Sequence, residues 1–306
     1  MAESVQLFEK PAVDEIYMLA GWHQWADAGS ISSGLPEYLI HLTEARKIGE
    51  MGNQGFYLFQ IPGTHHLLRP VIKMEEGHIQ SLEIRRNEFF YWEHEGKGLV
   101  IFLGEEPHLN AEQYADAFFT AVRQLGVQRV ISFGGVYGPV PYDLEREIGC
   151  LYSLPHMRAE LQKYAVRFSN YEGGSSIGSY LAYFAEQVEV EFLAFYGFVP
   201  AYDFGQSAVL PQGIRIENDY KAWHDIMRRC NHLLNLDLNL ADLERRGYDL
   251  VETMDDKIGE LEEKYPQLKA RDYLEQVAEA FIERPFMPLD DIWEQELRDL
   301  FGDGED

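Results

Sequence analysis

Up to about residue 205, short apolar segments alternate along the chain with segments in which apolar residues recur every three or four positions. The short segments predict buried β-strands, and the periodic ones predict amphipathic helices. The predicted strands are residues 15–21, 56–61, 81–95, 98–104, 127–135, 164–171 and 190–198, and the predicted helices are residues 31–45, 110–126, 155–163 and 179–189. This alternation predicts an α/β fold with a mostly parallel sheet covered by helices on both faces.

From about residue 214 the strand pattern stops. Apolar residues from Leu240 to Leu261 form one helical stripe, and further helices are predicted at residues 270–283 and 289–301. Residues 217–306 hold 11 lysines and arginines against 25 aspartates and glutamates, a net charge of −14. We therefore predict two regions, an α/β core domain (1–213) and an acidic helical C-terminal region (214–306). The stripe is expected to pack on the core, and exposure to a partner is the alternative.

Composition excludes several classes of function. The formal net charge of −26 at pH 7 would repel a nucleic-acid backbone, so no nucleic-acid partner is predicted. No apolar run approaches the roughly 20 residues that span a bilayer, and the N-terminus lacks a signal-peptide pattern. We predict a cytoplasmic protein without a membrane partner. The two cysteines lie far apart and the histidines lack metal-binding spacing, so no metal or other cofactor is predicted.

Three loops of small residues follow predicted strands: "AGWHQWADAGS", "GGVYGPVPY" and "EGGSSIGSY". If the strands are parallel neighbours, these loops meet at the carboxyl edge of the sheet and form a crevice. No standard phosphate-binding motif is present. Asp27 and Glu172 would oppose a phosphate, and we expect them to cap helices or to accept hydrogen bonds from loop amides. A nucleotide site is therefore not indicated.

The third loop also contains Gly174-Ser175-Ser176-Ile177-Gly178, which matches the GxSxG nucleophile motif. Ser176 would then be the nucleophile of an acyl-transfer enzyme. The candidate base is His224 or His232, and the candidate orienting acid is Asp203 or Asp219. The alternative is that these residues only form the start of a helix, where glycine and serine are common, and that Ser176 has no catalytic role.

Aromatic residues are concentrated in or beside these loops. They are Trp22, Trp25, Tyr137, Tyr142, Tyr171 and Tyr202. Aromatic side chains with a polar atom are enriched in protein contacts. Packing inside the loops is the alternative, and the sequence leaves both open.

Four segments resemble one known family in their order along the chain: "LAGWHQWADAGS", "VISFGGVYGPVPY", "EGGSSIGSYLAYFAEQ" and "FLAFYGFVPAYDF". They are similar to the proteasome assembly chaperone 2 family, and the C-terminal helical region resembles that of its bacterial members. The resemblance implies a three-layer αβα domain of the nucleoside-phosphorylase/hydrolase-like type. It also implies self-association, with a trimer as one form, and no established enzymatic activity in the bacterial members. Eukaryotic relatives hold proteasome α subunits during ring assembly.

The resemblance carries over Gly21, Trp22, Asp27, Gly29, Gly134 and Gly135 as structural or pocket residues. With the loop residues above, the candidate pocket or interaction residues are Gly21, Trp22, Trp25, Asp27, Gly29, Gly134, Gly135, Tyr137, Glu172, Gly174, Ser176 and Tyr202. We expect a non-enzymatic interaction or assembly-chaperone-like protein with an unidentified protein partner. The alternative is a small-molecule hydrolase or nucleoside-phosphorylase-like enzyme that uses Ser176, His224 and Asp203.

Overall fold

The alternating pattern of the sequence folds as strands and helices along most of the chain. The computed structural model describes residues 4–53, 55–60, 69–204 and 213–287. The strands within these residues are β1 Val5–Leu7, β2 Glu15–His23, β3 Arg46–Met51, β4 Val71–Glu75, β5 His78–Glu83, β6 Glu88–His94, β7 Lys97–Glu105, β8 Arg129–Gly138, β9 Ile148–Tyr152, β10 Arg167–Phe168, β11 Glu191–Tyr202 and β12 Ile214–Arg215. The helices are α1 Gly34–Leu42, α2 Ala111–Gln124, α3 Met157–Leu161, α4 Ile177–Gln187, α5 Tyr220–Leu234, α6 Ala241–Lys264 and α7 Ala270–Ala280.

Ten strands form one mixed sheet in the order β1-β3-β6-β7-β2-β8-β11-β9-β10, with β12 paired to β11. Its four central strands, β7, β2, β8 and β11, run parallel to one another. The strands β1, β3 and β6 add to one side in antiparallel register, and β9 is antiparallel to β11 on the other. The strands β4 and β5 pair only with each other, as a separate hairpin.

Helices cover both faces of the large sheet. Along β2, Met18 belongs to the apolar cluster that packs under α2 and α4, whereas the next residue, Leu19, belongs to the cluster that packs under α1, α5 and α6. Successive side chains of a strand point to opposite faces, which is why one apolar strand supplies both clusters. The predicted three-layer αβα fold is confirmed.

Three predicted strands differ from the structure. Residues 56–60 form a turn and irregular backbone, because the carbonyl of Phe56 accepts hydrogen bonds from the amides of His108 and Leu109 and not from a neighbouring strand. Residue 61 lies outside the described residues. Residues 81–95 form two strands, β5 and β6, that belong to different sheets. Of residues 164–171, only Arg167–Phe168 pair, as β10.

Sequence reasoning also missed five strands. They are β1, β3, β4, β9 and β12. Each has at most six residues, and β3, "RKIGEM", carries charged residues and a glycine that hide its strand pattern. Short edge strands gain their conformation from a neighbour more than from their own composition.

The apolar stripe of the C-terminal region is buried. Leu243, Met254 and Ile258 of α6 are nearly inaccessible and continue the cluster that lies on the sheet beneath α5. The stripe therefore packs on the core, as expected, and is not exposed to a partner. The helix predicted at residues 289–301 lies outside the described residues, and the division at residue 213 stays a prediction. No described helix is long and apolar enough to cross a membrane.

A buried ion pair joins the start of α5 to the connection between β8 and β9. Arg146 Nε donates to Asp219 Oδ2 over 2.8 Å, and both side chains are completely inaccessible. Arg146 Nη1 also donates to the carbonyls of Pro141, Tyr142 and Leu144. Asp219 Oδ1 accepts from the backbone N–H of Ala222, so the same carboxylate caps α5.

A second buried arginine extends this network. Arg229 of α5 donates to Glu145 Oε1 over 2.9 Å and to the carbonyl of Tyr164 over 2.9 Å. Burial opposes ionisation of the neighbouring Asp225, but the hydrogen bonds from His224 and from the backbone N–H of Arg146 outweigh it, so the pKa of Asp225 is lowered. The position of α5 on the sheet is therefore fixed by paired charges as well as by apolar contacts.

We expect Arg146→Met to destabilise the protein by about 3 to 5 kcal/mol, because it leaves Asp219 buried without its partner. The free energy of unfolding, measured in urea, checks this. Arg46→Met is the control: Arg46 pairs with Glu9 on the surface, and such pairs contribute about 1 kcal/mol or less. Equal losses in the two variants would contradict the role of the buried pair.

Candidate functional site

The predicted convergence of loops occurs where the parallel strands β2, β7 and β8 end. The first loop, residues 24–33, lies on the end of β8: Asp27 and Gly135 form a parallel bridge, and Gly135 N donates to the carbonyl of Ala26 over 2.8 Å. The loop before α4, residues 169–176, reaches the same edge, since Gly174 lies beside the indole of Trp25. The three small-residue loops are therefore neighbours.

The third loop reaches this edge by a route that the sequence did not predict. Its preceding strand, β10, is parallel to β9, and β9 is antiparallel to β11, so β10 runs against the central strands. Residues 169–176 must turn back before α4 begins. The assumption that all three preceding strands are parallel was wrong, although the loops do meet.

Two glycines make this close approach possible. A Cβ atom on Gly135 would lie 1.9 Å from the carbonyl oxygen of Ala28, which is far inside van der Waals contact. Gly29 has a φ of +63°, and a Cβ there would meet Asp219 at 2.8 Å. Its carbonyl accepts from the backbone N–H of Asp219 and from Trp223 Nε1. The first loop is thus joined to β8 on one side and to α5 on the other.

Asp27 binds loop amides, as expected from the sequence. Its Oδ1 accepts from the backbone N–H groups of Ser32 (2.7 Å) and Ser33 (3.0 Å), and its Oδ2 accepts from the Ser33 hydroxyl over 2.6 Å. Burial raises the pKa of Asp27, and the hydrogen bonds from Ser33 and Ser32 only partly oppose that shift. The carboxylate holds the turn that leads into α1.

Glu106, which directly follows β7, connects two of the loops. Its Oε2 accepts from the backbone N–H of Trp25 over 2.9 Å, and its Oε1 accepts from the backbone N–H of Ile177 over 3.1 Å. Ile177 is the first residue of α4, so the carboxylate also lies at the positive end of that helix. Sequence reasoning missed this residue, although its place at the end of a buried strand was a usable signal.

Ser176 caps α4. Its backbone is extended (φ −81°, ψ 166°), and its hydroxyl accepts from the backbone N–H of Ser179. The hydroxyl also shares a hydrogen bond of 2.6 Å with Tyr196, whose pKa is raised by burial, so that its phenol stays protonated. Among the described residues, the hydrogen-bond partners of this hydroxyl include no histidine.

The structure does not bring the remaining candidate catalytic residues to Ser176. His224 and His232 lie on α5, on the opposite face of the sheet from α4. His224 lies beside Asp225, and His232 lies beside Tyr164. Asp219 is bound to Arg146, and Asp203 directly follows β11.

Two predicted contact aromatics are buried instead. Trp22 is completely inaccessible, because alternation along β2 directs it into the cluster under α2, where its Nε1 donates to the hydroxyl of Tyr114 over 2.8 Å. Tyr202 is also buried, and its hydroxyl donates to the carbonyl of Val140 over 2.6 Å. Neither residue can contact a partner in this arrangement.

The remaining candidates lie as follows: Gly21 in β2 against Ser32, Gly134 in β8 against the ring of Tyr196, and Glu172 exposed in the loop before α4.

Other aromatics at this edge are exposed. Trp25 is 71% exposed, and the hydroxyl of the exposed Tyr171 donates to the carbonyl of Gly174 over 3.2 Å. Tyr137, at the end of β8, is partly exposed next to Val136, and its hydroxyl donates to the carbonyl of Ile216. We call Trp25, Val136, Tyr137, Tyr171 and Gly174 the loop-edge surface.

A polar cavity of about 380 Å³ opens beside Trp25. Its lining residues are His23, Gln24, Asp27, Arg85, Glu105, Glu106, Pro107 and His108. Arg85 pairs with Glu105. Burial and the guanidinium of Arg85 lower the pKa of His108, whose Nδ1 accepts from the backbone N–H of Leu58, so this imidazole is neutral. The charged groups of the cavity are thus largely paired with one another or with loop amides.

We expect Asp27→Ala to reduce the free energy of unfolding by about 2 kcal/mol, because the amides of Ser32 and Ser33 lose their acceptor. Chemical denaturation checks this. Asp116→Ala, at an exposed position of α2, is the control and should change stability by less than about 0.5 kcal/mol. Unchanged stability of the Asp27 variant would show that the loop does not need this carboxylate.

We expect Ser176→Ala to cost about 1 kcal/mol through the lost helix cap. We also expect that a fluorophosphonate probe does not label the wild-type protein, because no histidine among the described residues is hydrogen-bonded to this hydroxyl. A known serine hydrolase in the same reaction controls for probe activity. Labelling that disappears in Ser176→Ala would instead support the enzymatic alternative.

Solved structures with the same fold come from bacteria and archaea. A proteasome-assembly chaperone homologue from Mycobacterium tuberculosis is 19% identical, with a TM-score of 0.67 over 79% of this chain and 94% of that chain. A PAC2 family protein from Streptomyces avermitilis is 18% identical, with a TM-score of 0.68 over 79% and 95% of the two chains. An archaeal proteasome activator from Pyrococcus furiosus is 18% identical, with a TM-score of 0.60 over 84% and 99%.

At these identities the likeness shows a shared fold. Among curated proteins, none matches the sequence. The resemblance noted from the loop segments is confirmed at the level of the family. The model of the PAC2 family matches residues 21–258, and this chain therefore belongs to the PAC2 family.

Proposed function

We propose that this chain is a non-enzymatic, assembly-chaperone-like protein that binds a protein partner through its loop-edge surface. Family membership and the fold shared with a proteasome-assembly chaperone homologue and an archaeal proteasome activator support a role in protein assembly. By this proposal the first partner to test is a proteasome α subunit from the same organism. By the same proposal, the protein acts in the cytoplasm as a homo-oligomer. A trimer is one form that this oligomer could take.

The main support for the proposal is that the side chain of Trp25 is exposed while its backbone is held by hydrogen bonds. The side chain is 71% exposed, yet its backbone N–H is bound by Glu106, and its neighbours in the first loop are bound by Asp27. A large exposed aromatic on a rigid backbone loses little conformational entropy on binding. Tryptophan is also among the residues that contribute most to protein interfaces.

Two further exposed aromatics lie at the same edge of the sheet. Tyr171 and Tyr137 are exposed aromatics that each donate a hydrogen bond to a backbone carbonyl, which holds their rings in place. Gly174 leaves room beside the Trp25 indole, so a partner side chain can reach the ring. An aromatic surface of this kind is typical of the centre of a protein interface.

The enzymatic alternative has less support. Its candidate nucleophile, Ser176, uses its hydroxyl to cap α4 and to bind Tyr196, and the candidate bases lie on the other face of the sheet. The cavity beside Trp25 contains carboxylates that already accept hydrogen bonds from loop amides. These contacts favour a structural role for the polar residues of the edge.

We expect Trp25→Ser to weaken partner binding at least tenfold without lowering the melting temperature, because the side chain is exposed and makes no core contact. Co-purification with the α subunits, followed by titration calorimetry, measures the effect. Tyr183→Ser is the matched control, since Tyr183 is 63% exposed but lies on α4 outside the loop-edge surface.

Two results would contradict the proposal. One is equal binding by the wild type and Trp25→Ser, which would place the partner elsewhere on the molecule. The other is the absence of any complex between the folded wild type and the α subunits, which would remove the proteasome partner.

A further inference from the structure

The hairpin of β4 and β5 stands apart from the rest of the fold. It pairs with no other strand, and the side chains of both strands are exposed. Its two-residue turn, Glu76 and Gly77, has positive φ at both positions (48° and 85°). That geometry is the one that favours a tight two-residue hairpin, so the hairpin is well defined locally.

The hairpin has one apolar and one polar face. Residues directly opposite each other share a face, and residues two apart along β4 share it too. In β5 the pairing register shifts at Gln80, so the residues opposite Ile72 and Met74 are three apart. The pairs Ile72 with Leu82 and Met74 with Ile79 therefore lie on one face. The pairs on the other face are Val71 with Glu83, Lys73 with Ser81 and Glu75 with His78, and an ion pair joins Lys73 to Glu83.

The apolar face is uncovered. Ile72, Met74, Ile79 and Leu82 are each 46 to 61% exposed, and the adjoining Ile84 is 50% exposed. A two-stranded hairpin is marginally stable in water by itself, and contiguous apolar patches of a few hundred Å² mark interaction sites. These side chains form no strong hydrogen bonds, so the face favours an apolar occupant.

Charge distinguishes the hairpin from the rest of the surface. Residues 69–86 contain four lysines and arginines and three glutamates, a net charge of +1, in a chain whose total is −26. Two copies of so acidic a protein repel each other across most of their surface. Repulsion is weaker where two nearly neutral hairpins meet, because the acidic surfaces then lie farther apart and are screened by salt.

The base of the hairpin is anchored. Arg85, just after β5, pairs with Glu105 at the end of β7, and the side chain of Asn53 donates to the carbonyl of Arg85. Asn87 follows, buried, and its side chain donates to the hydroxyl of Tyr57 over 2.8 Å. The chain that leaves the hairpin after β5 is therefore attached to the sheet edge, beside the cavity near Trp25.

We propose that the apolar face of the β4–β5 hairpin is the contact between copies of this chain, in which it packs on the same face of a second copy. Two flat, two-stranded aliphatic faces can stack as layers of a β-sandwich do, roughly 10 Å apart. A face that packs on the same face of a second copy makes an isologous contact, which relates the two copies by a two-fold axis. The proposal rests on the homo-oligomer proposed above and names the contact that pairs its copies; a trimer would require a second, different contact.

Two matched lysine variants test this proposal. Leu82 lies on the apolar face and is 51% exposed, whereas Val71 lies on the polar face and is 54% exposed. We expect Leu82→Lys to reduce the mass measured by light scattering at micromolar concentration from a multiple of 35.4 kDa to 35.4 kDa. Val71→Lys should leave the mass of the wild type unchanged.

Cysteine cross-linking gives a second measurement, which does not require the protein to fold with a lysine at position 82. Cys150 and Cys230 are buried, so an introduced surface thiol is the reactive one. We expect Met74→Cys to form cross-linked copies with a short bis-maleimide, and Lys73→Cys, the adjacent residue on the other face, to form few or none.

A wild type that stays at 35.4 kDa at every concentration would overturn the proposal. An oligomer that keeps its mass in the Leu82→Lys variant would overturn it too. So would equal cross-linking of the Met74→Cys and Lys73→Cys variants. Trp25→Ser separates this proposal from the proposed function. That variant should keep the oligomer and lose the partner, whereas Leu82→Lys should lose the oligomer whether or not the α subunits bind.

Discussion

The rest of this structure depends on the buried ion pair between Arg146 and Asp219. Asp219 caps α5 and donates its backbone N–H to the carbonyl of Gly29, while Arg146 also donates to three carbonyls after β8. One pair of charges therefore joins the first loop, the connection between β8 and β9, and the helix that covers the sheet. Because an unpaired charge at this depth is very unfavourable, other arrangements of these segments are strongly disfavoured.

Two carboxylates at the edge of the sheet hold backbone, and exposed aromatic residues lie beside them. Asp27 and Glu106 bind loop amides, and this leaves Trp25 exposed on a rigid loop. At Trp25 this fixation reduces the entropy that binding would cost. In the hairpin, Arg85 is bound to Glu105 after β5, and the aliphatic face consists of Ile72, Met74, Ile79 and Leu82.

Local patterns were enough to predict the central fold and part of the edge. Buried strands and amphipathic helices are encoded by spacing within a few turns or pleats, so β2, β7, β8 and α2 could be found without knowing their neighbours. The role of Asp27 was equally local, because a carboxylate before a helix binds the nearest free amides. The two positive-φ turns with Glu-Gly sequences, at Gly77 and Gly96, are a similar local signal for hairpins.

The sequence by itself therefore determined the class of fold and the helices on both faces, because both depend on short-range spacing. Only the tertiary structure decided the reversed direction of β10, the burial of Trp22 under α2 and the bridge that Glu106 makes between Trp25 and Ile177. These features depend on strand order and on contacts between residues far apart in the chain. Periodicity within one segment carries no information about which distant segment it will meet.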